Sequence, residues 1–144
     1  MRQVRLAVIG TGHLGKIHAR LAKGISAFKV VGVVDPAKQA RDAFCKEYKL
    51  KGYDDVSEIS SKIDAAVIAT PTLYHKEVAA PLLEQGKHVL VEKPVGSSLA
   101  EIHSMMQVYQ QHHYPASHPR MARRWRHSIK CGAFLGTTTF TSRS

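Results

Sequence analysis

The chain has 144 residues, of which 44% are hydrophobic, and a formal net charge of +10. This length suits one domain with a core large enough to fold alone. No apolar run reaches membrane-spanning length, residues 6–9 are too short for a secretory h-region, and Cys45 and Cys131 give neither a disulfide framework nor metal-ligand spacing; a cytoplasmic protein without membrane attachment is the expectation. Residues 1–111 hold 15 basic and 11 acidic side chains, whereas residues 112–144 hold six basic side chains (Arg120, Arg123, Arg124, Arg126, Lys130 and Arg143) and no acid. The mildly basic body suits an anionic ligand. The tail reads as a solvated basic segment rather than a nucleic-acid surface, although Arg123, Arg124, Trp125 and Arg126 are of the types that contact phosphates and stack a base.

Residues 4–9, an apolar run, predict a strand. Gly10-Thr11-Gly12-His13-Leu14-Gly15 follows at once, residues 16–23 predict a helix, and residues 29–34 predict a second strand ending at Asp35. A lone GxGxxG is a weak signal. After a strand, opening a helix, with an acid about twenty residues on, it is the fingerprint of a dinucleotide-binding βαβ unit. Gly10 permits the tight turn out of the strand, Gly12 lets the backbone approach a pyrophosphate, and Gly15 lets the helix pack closely. The helix start offers free N–H groups to phosphates, and Asp35 can accept hydrogen bonds from both ribose hydroxyls. An acid there disfavours a 2′-phosphate, so NAD is expected; Lys38 and Arg41 lie near enough to soften that preference, and NADP stays open at this point.

Pro36 then turns the chain. Residues 37–48 predict a helix with Ala40, Phe44 and Tyr48 on one face. Gly52-Tyr53 predicts a short strand, residues 56–61 a short helix, and residues 65–69 a strand buried on both faces. Residues 72–85 predict a helix closed by Gly86, and residues 88–91 a fifth strand. Ser97 or Ser98 caps a last helix to about residue 110, with Glu101 in its first turns. The alternation predicts an α/β fold: a Rossmann-like doubly wound parallel sheet in three layers (αβα) over residues 1–111, followed by a separate basic tail. Ligands of such sheets sit at the carboxyl ends of the strands.

Two more segments fall at those ends: Ala69-Thr70-Pro71-Thr72-Leu73-Tyr74-His75 after the fourth strand, and Val91-Glu92-Lys93-Pro94 after the fifth. Together with the glycine turn and His18, they make residues 3 to about 111 resemble the N-terminal half of the Gfo/Idh/MocA oxidoreductase family. The resemblance implies that Gly10, Thr11, Gly12, His13 and Leu14 line a pyrophosphate, that Asp35 holds the adenosine ribose, and that Thr70, Pro71 and Thr72 contact the dinucleotide. It also implies that His75 helps fix that loop, that Glu92 and Lys93 border the nicotinamide, and that Pro94 shapes their loop. Lys93 is then the candidate catalytic residue, able to hydrogen-bond a substrate oxygen and share in proton transfer. His18 reads as a packing residue, and the histidines show no metal-ligand spacing.

The implied activity is hydride transfer to or from a carbon of a sugar-like or polyol substrate. The alternative is a non-catalytic NAD(P)-binding fragment or subunit. The family continues with a further strand and a second, mixed α/β domain that supplies substrate contacts, partners for the lysine and oligomer contacts; an arginine-rich segment stands here in place of that strand. Read one nucleotide earlier, residues 121–130 can encode Asn-Gly-Ala-Ala-Val-Ala-Ala-Leu-Asp-Gln, a helix-like continuation, and the coding DNA decides between a shifted frame and an authentic tail.

Overall fold

A computed structural model describes residues 3–113, so the predicted basic tail lies outside the described residues from residue 114 onward. Its elements are β1 (Val4–Ile9), α1 (His13–Lys23), β2 (Phe28–Val34), α2 (Lys38–Tyr48), β3 (Gly52–Tyr53), α3 (Ser57–Ser60), β4 (Ala65–Ile68), a 3-10 turn (Thr72–Tyr74), α4 (His75–Glu84), β5 (His88–Val91) and α5 (Leu99–His113). The five strands are parallel and ordered β3-β2-β1-β4-β5. This is the expected Rossmann-like sheet.

The layers follow from alternation along β1. Val8 packs with Ala19 of α1, Val33 and Phe44 of α2 on one face. Ala7 and Ile9 face the other way, joining Ile59, Leu82, Leu83, Met105 and Tyr109 under α3, α4 and α5. All four residues of β4 are buried, as a strand covered on both faces must be. On the α1 side, Ala22 packs with Ala65 and Val67 of β4, and beyond it Leu21, Ile25, Leu90 and His88 help frame a groove of ≈ 360 Å³. Among the described residues β3 and β5 are the two edge strands.

Three boundaries differ from the sequence expectation by more than one residue. Helix α1 begins at His13 rather than residue 16, because Gly12 is extended and caps it, so the second half of the glycine motif is already helical. The helix expected from residue 72 starts with one 3-10 turn after Pro71 and becomes α-helical at His75. Helix α5 runs to His113, past the expected end, since Pro115 is the first later residue that opposes a helix. Ser98 does cap α5: its Oγ accepts the Glu101 N–H at 3.2 Å, while Glu101 Oε2 accepts the Ser97 N–H at 2.8 Å. Gly86 closes α4 with φ +69°.

The order of the strands places a switch point between β1 and β4, where the chain crosses from one half of the sheet to the other. The loops leaving these two strands part there and open a crevice.

Candidate dinucleotide site

The three glycines of the motif do three separate jobs. Gly10 has φ +101°, and a Cβ on it would stand 2.7 Å from the Ala69 carbonyl oxygen in the loop after β4. The turn thus reverses against the neighbouring loop without a side chain between them. A Cβ on Gly15 would stand 2.0 Å from the Gly10 carbonyl oxygen, so α1 presses on the turn itself. A Cβ on Gly12 would meet nothing within 4 Å. Gly12 faces open space, the position where backbone can approach a ligand.

That space is a cavity of ≈ 790 Å³ at the carboxyl ends of β1, β2 and β4. Gly10, Thr11, Gly12, His13, Leu14, Asp35, Thr70 and Pro71 all line it, so the structure brings eight of the sequence-predicted residues to one wall. Helix α1 starts on this wall with no side-chain cap and no acid in its first turn. Its first N–H groups and positive dipole end are available to an anion. Thr70 Oγ1 is buried without a hydrogen-bond partner among the described residues. An uncapped helix start, an open glycine and an orphan hydroxyl together fit a pyrophosphate-bearing ligand.

Asp35 is held rigidly at the end of β2. Its Oδ2 accepts from Thr11 N at 2.9 Å and from Thr11 Oγ1 at 2.6 Å, and its Oδ1 accepts from Ala37 N at 2.9 Å. Burial alone would push this carboxyl up, but the Thr11 and Ala37 bonds and the nearby Arg41 charge outweigh it and hold it below its ordinary value. The cations that could have softened NAD preference are occupied. Arg41 pairs with Asp54 and donates to the Asp35 carbonyl at 2.6 Å, and Lys38 pairs with Asp42 at 2.5 Å.

The depressed Asp35 sets a pH dependence. A carboxyl whose folded value lies below its unfolded one adds stability above the unfolded value and loses it as pH falls through the folded one. The urea midpoint should therefore fall below about pH 4. Asp35→Asn should be less stable than the parent by about 1 kcal/mol at pH 7, with the gap closing towards pH 3. An unchanged gap across that range would show that the ionised carboxylate is not what Thr11 and Ala37 hold.

The comparisons with known proteins agree with this geometry. The model of the GFO_IDH_MocA family, described as "Oxidoreductase family, NAD-binding Rossmann fold", matches residues 4–117. The chain belongs to this family. A curated relative, scyllo-inositol 2-dehydrogenase (NAD(+)) of Bacillus subtilis, is 38% identical over 103 residues, which are 69% of this chain and 30% of the relative. Among solved structures, UDP-N-acetylglucosamine 3-dehydrogenase GnnA of Acidithiobacillus ferrooxidans superposes with a TM-score of 0.73 at 31% identity, over 78% of this chain and 37% of that one. Scyllo-inositol dehydrogenase of Lactobacillus casei, solved with bound NAD(H) and scyllo-inositol, gives 0.71 at 30% identity over 78% and 34%. The chain thus spans about a third of the length of these Gfo/Idh/MocA relatives.

Five predicted residues stand apart from the cavity wall of this Gfo/Idh/MocA domain: Thr72, His75, Glu92, Lys93 and Pro94. His75 is interior, 1% exposed. Its Nε2 faces the Thr70 carbonyl at 2.9 Å and its Nδ1 the Val95 carbonyl at 3.2 Å, tying the loops after β4 and β5 together. Glu92 turns its carboxylate to α1, where Oε1 pairs with His18 Nε2, and its Oε2 accepts the Lys93 N–H at 3.2 Å. The His18 bond chiefly, then the Lys93 amide and the charges of His18 and His75, hold the Glu92 carboxyl below its ordinary value against the opposing effect of burial. His18, read from the sequence as a packing residue, is part-buried and also makes this hydrogen bond to Glu92. Lys93 is exposed, and its bond to Pro94 is cis.

The wall also contains residues to which the sequence motifs gave no role, among them Asp54, Asp55, Tyr74, Glu77 and Val78. The acids were findable: Asp54-Asp55 follow the short third strand, at the same sheet end as Asp35. The described residues hold no cluster of three or more metal-ligating side chains and no helix long and apolar enough to cross a membrane.

Proposed function

We propose that this chain is the NAD(H)-binding part of a cytoplasmic dehydrogenase acting on a sugar-like or polyol substrate. The observation that carries this reading is the combination, on one cavity wall, of an uncapped helix start beside Gly12 and an ionised Asp35 fixed by Thr11 and Ala37. His13 and Leu14 would flank the pyrophosphate, and Asp35 would hold the adenosine ribose. Thr70 and Pro71 would support the dinucleotide from the loop after β4, with Thr72 beside them.

When bound, the nicotinamide supplies the hydride donor or acceptor. The chain's own part is to align it and to place Lys93 beside it. There the ammonium group would hydrogen-bond the substrate oxygen, stabilise charge developing on it, and share in moving its proton. Substrate orientation supplies much of the rate in such reactions. Because the chain spans about a third of its relatives, turnover would need a substrate-binding half. Self-association belongs to the proposal as well, since β5 ends the sheet among the described residues and an edge strand invites a second copy.

Preference for NAD follows from the acids around the ribose position and from the engagement of Arg41 and Lys38. Calorimetric titration with NAD⁺, NADH and NADPH tests the reading. The folded chain should bind NADH at least ~10-fold more tightly than NADPH, and Asp35→Ala should shrink that ratio. A folded chain that binds none of the three, or that prefers NADPH, would overturn it.

A further inference from the structure

The loop that carries Lys93 is tied to two helices at two points. Glu92 leaves β5 still paired to the sheet, its N–H donating to the Ile68 carbonyl at 3.0 Å. One carboxylate oxygen of Glu92 then meets His18 on α1, and the other accepts the Lys93 N–H at 3.2 Å. Two residues after Lys93, the Val95 carbonyl faces the buried His75 at the start of α4. Between these ties the Lys93 side chain is exposed, with no hydrogen-bond or ion-pair partner among the described residues. A long side chain on an untied loop would spread over many positions, so its placement depends on how firmly its backbone is held.

Helix α1 also builds the cavity wall through His13 and Leu14 in its first turn. His18 lies about 7.5 Å further along the same axis than His13, at 1.5 Å per residue. One rigid helix therefore carries both the phosphate-facing N–H groups and the anchor of the Lys93 loop.

We propose that His18, acting through Glu92, is a positioning residue: it fixes the Lys93 backbone to the helix that holds the pyrophosphate, so that lysine and nicotinamide share one frame. The inference rests on the reading, given above, that Lys93 borders the nicotinamide. The bond between His18 and Glu92 reaches an ionised carboxylate, a charge-assisted arrangement stronger than a neutral pair.

The test compares NADH with ADP-ribose, which lacks the nicotinamide, by calorimetry on the 144-residue chain. His18→Ala should weaken NADH about fivefold and leave ADP-ribose within about twofold of the parent. His18→Gln, which keeps a donor at similar reach, should recover most of the loss, and His18→Leu, which keeps bulk without a donor, serves as the working variant if His18→Ala does not fold. Equal weakening of both ligands would mean that His18 only supports α1, and would overturn the proposal; so would no change in either. Lys93→Ala separates the two levels of argument. If it too shifts NADH alone while His18→Ala does not, the positioning role fails and the lysine reading survives. If Lys93→Ala leaves the NADH to ADP-ribose ratio unchanged, the lysine reading itself fails. Amide exchange adds a ligand-free readout: the Lys93 N–H should lose protection about tenfold in His18→Ala while amides of β4 keep theirs, and unchanged protection would count against the anchor.

Discussion

Replacing Gly12 by valine should weaken NADH binding at least ~100-fold, about 2.7 kcal/mol, while the protein stays folded. The argument has two halves. On the protein side, Gly12 has φ −69° and ψ −170°, extended backbone that valine adopts without strain. A Cβ there meets no atom within 4 Å, so the folded chain has nothing to push aside. On the ligand side, the new isopropyl group stands in the cavity at the uncapped start of α1. It would separate a phosphate from the N–H groups that should bind it, and each of those contacts depends on close backbone approach. Calorimetry with NADH, alongside a thermal melt, checks both halves. NADH affinity within tenfold of the parent would remove the pyrophosphate from this position, and a large fall in melting temperature would show that Gly12 is structural.

The elements that were legible in the sequence are those whose cause is local. Residues 65–68 are apolar throughout because β4 is covered on both faces, and no other arrangement of a short parallel strand gives that run. Gly10 and Gly86 were legible because positive φ at a turn or helix end selects glycine. Asp35 was legible from its place at the end of β2. What it does with its oxygens was not: Thr11 donates to it twice across 24 residues, and a threonine between two glycines carries no sign of that. Arg41 shows the same gap, since nothing local pairs it with Asp54 rather than with a ligand phosphate. His18 and Glu92 are 74 residues apart, and a single side-chain contact between a helix and a strand end leaves no period in the sequence. The carboxyl-end rule, applied to Gly52-Tyr53 as it was to the longer strands, would have found Asp54 and Asp55.

Gly15→Ala should destabilise the fold by about 3 kcal/mol or more, the upper range for an overpacked site. The methyl group would stand 2.0 Å from the Gly10 carbonyl oxygen and 3.7 Å from Val8 Cγ1. The closer contact is backbone, so no rotamer change relieves it; either α1 lifts off the turn or the turn leaves β1. Gly10 cannot yield easily. It is held by its own N–H to the Val34 carbonyl at 2.8 Å, and its φ of +101° places it directly against Ala69. Lifting α1 would strip cover from Val8 and Ala19, both at the centre of the core on that face. The strain thus spreads to β1, β2 and β4 at once, which is why the effect should exceed that of an ordinary surface change. A loss of 3 kcal/mol corresponds to a fall of more than about 10 °C in Tm for a domain near 100 residues. Gly12→Ala, two positions from the motif's start and equally a glycine in the fingerprint, should move Tm by no more than a few degrees, since its Cβ meets nothing. Thermal melts of the two alanine variants side by side measure the contrast. Equal shifts would mean that the helix does not press on the turn as the structure describes, and that close packing is not what selects glycine at position 15.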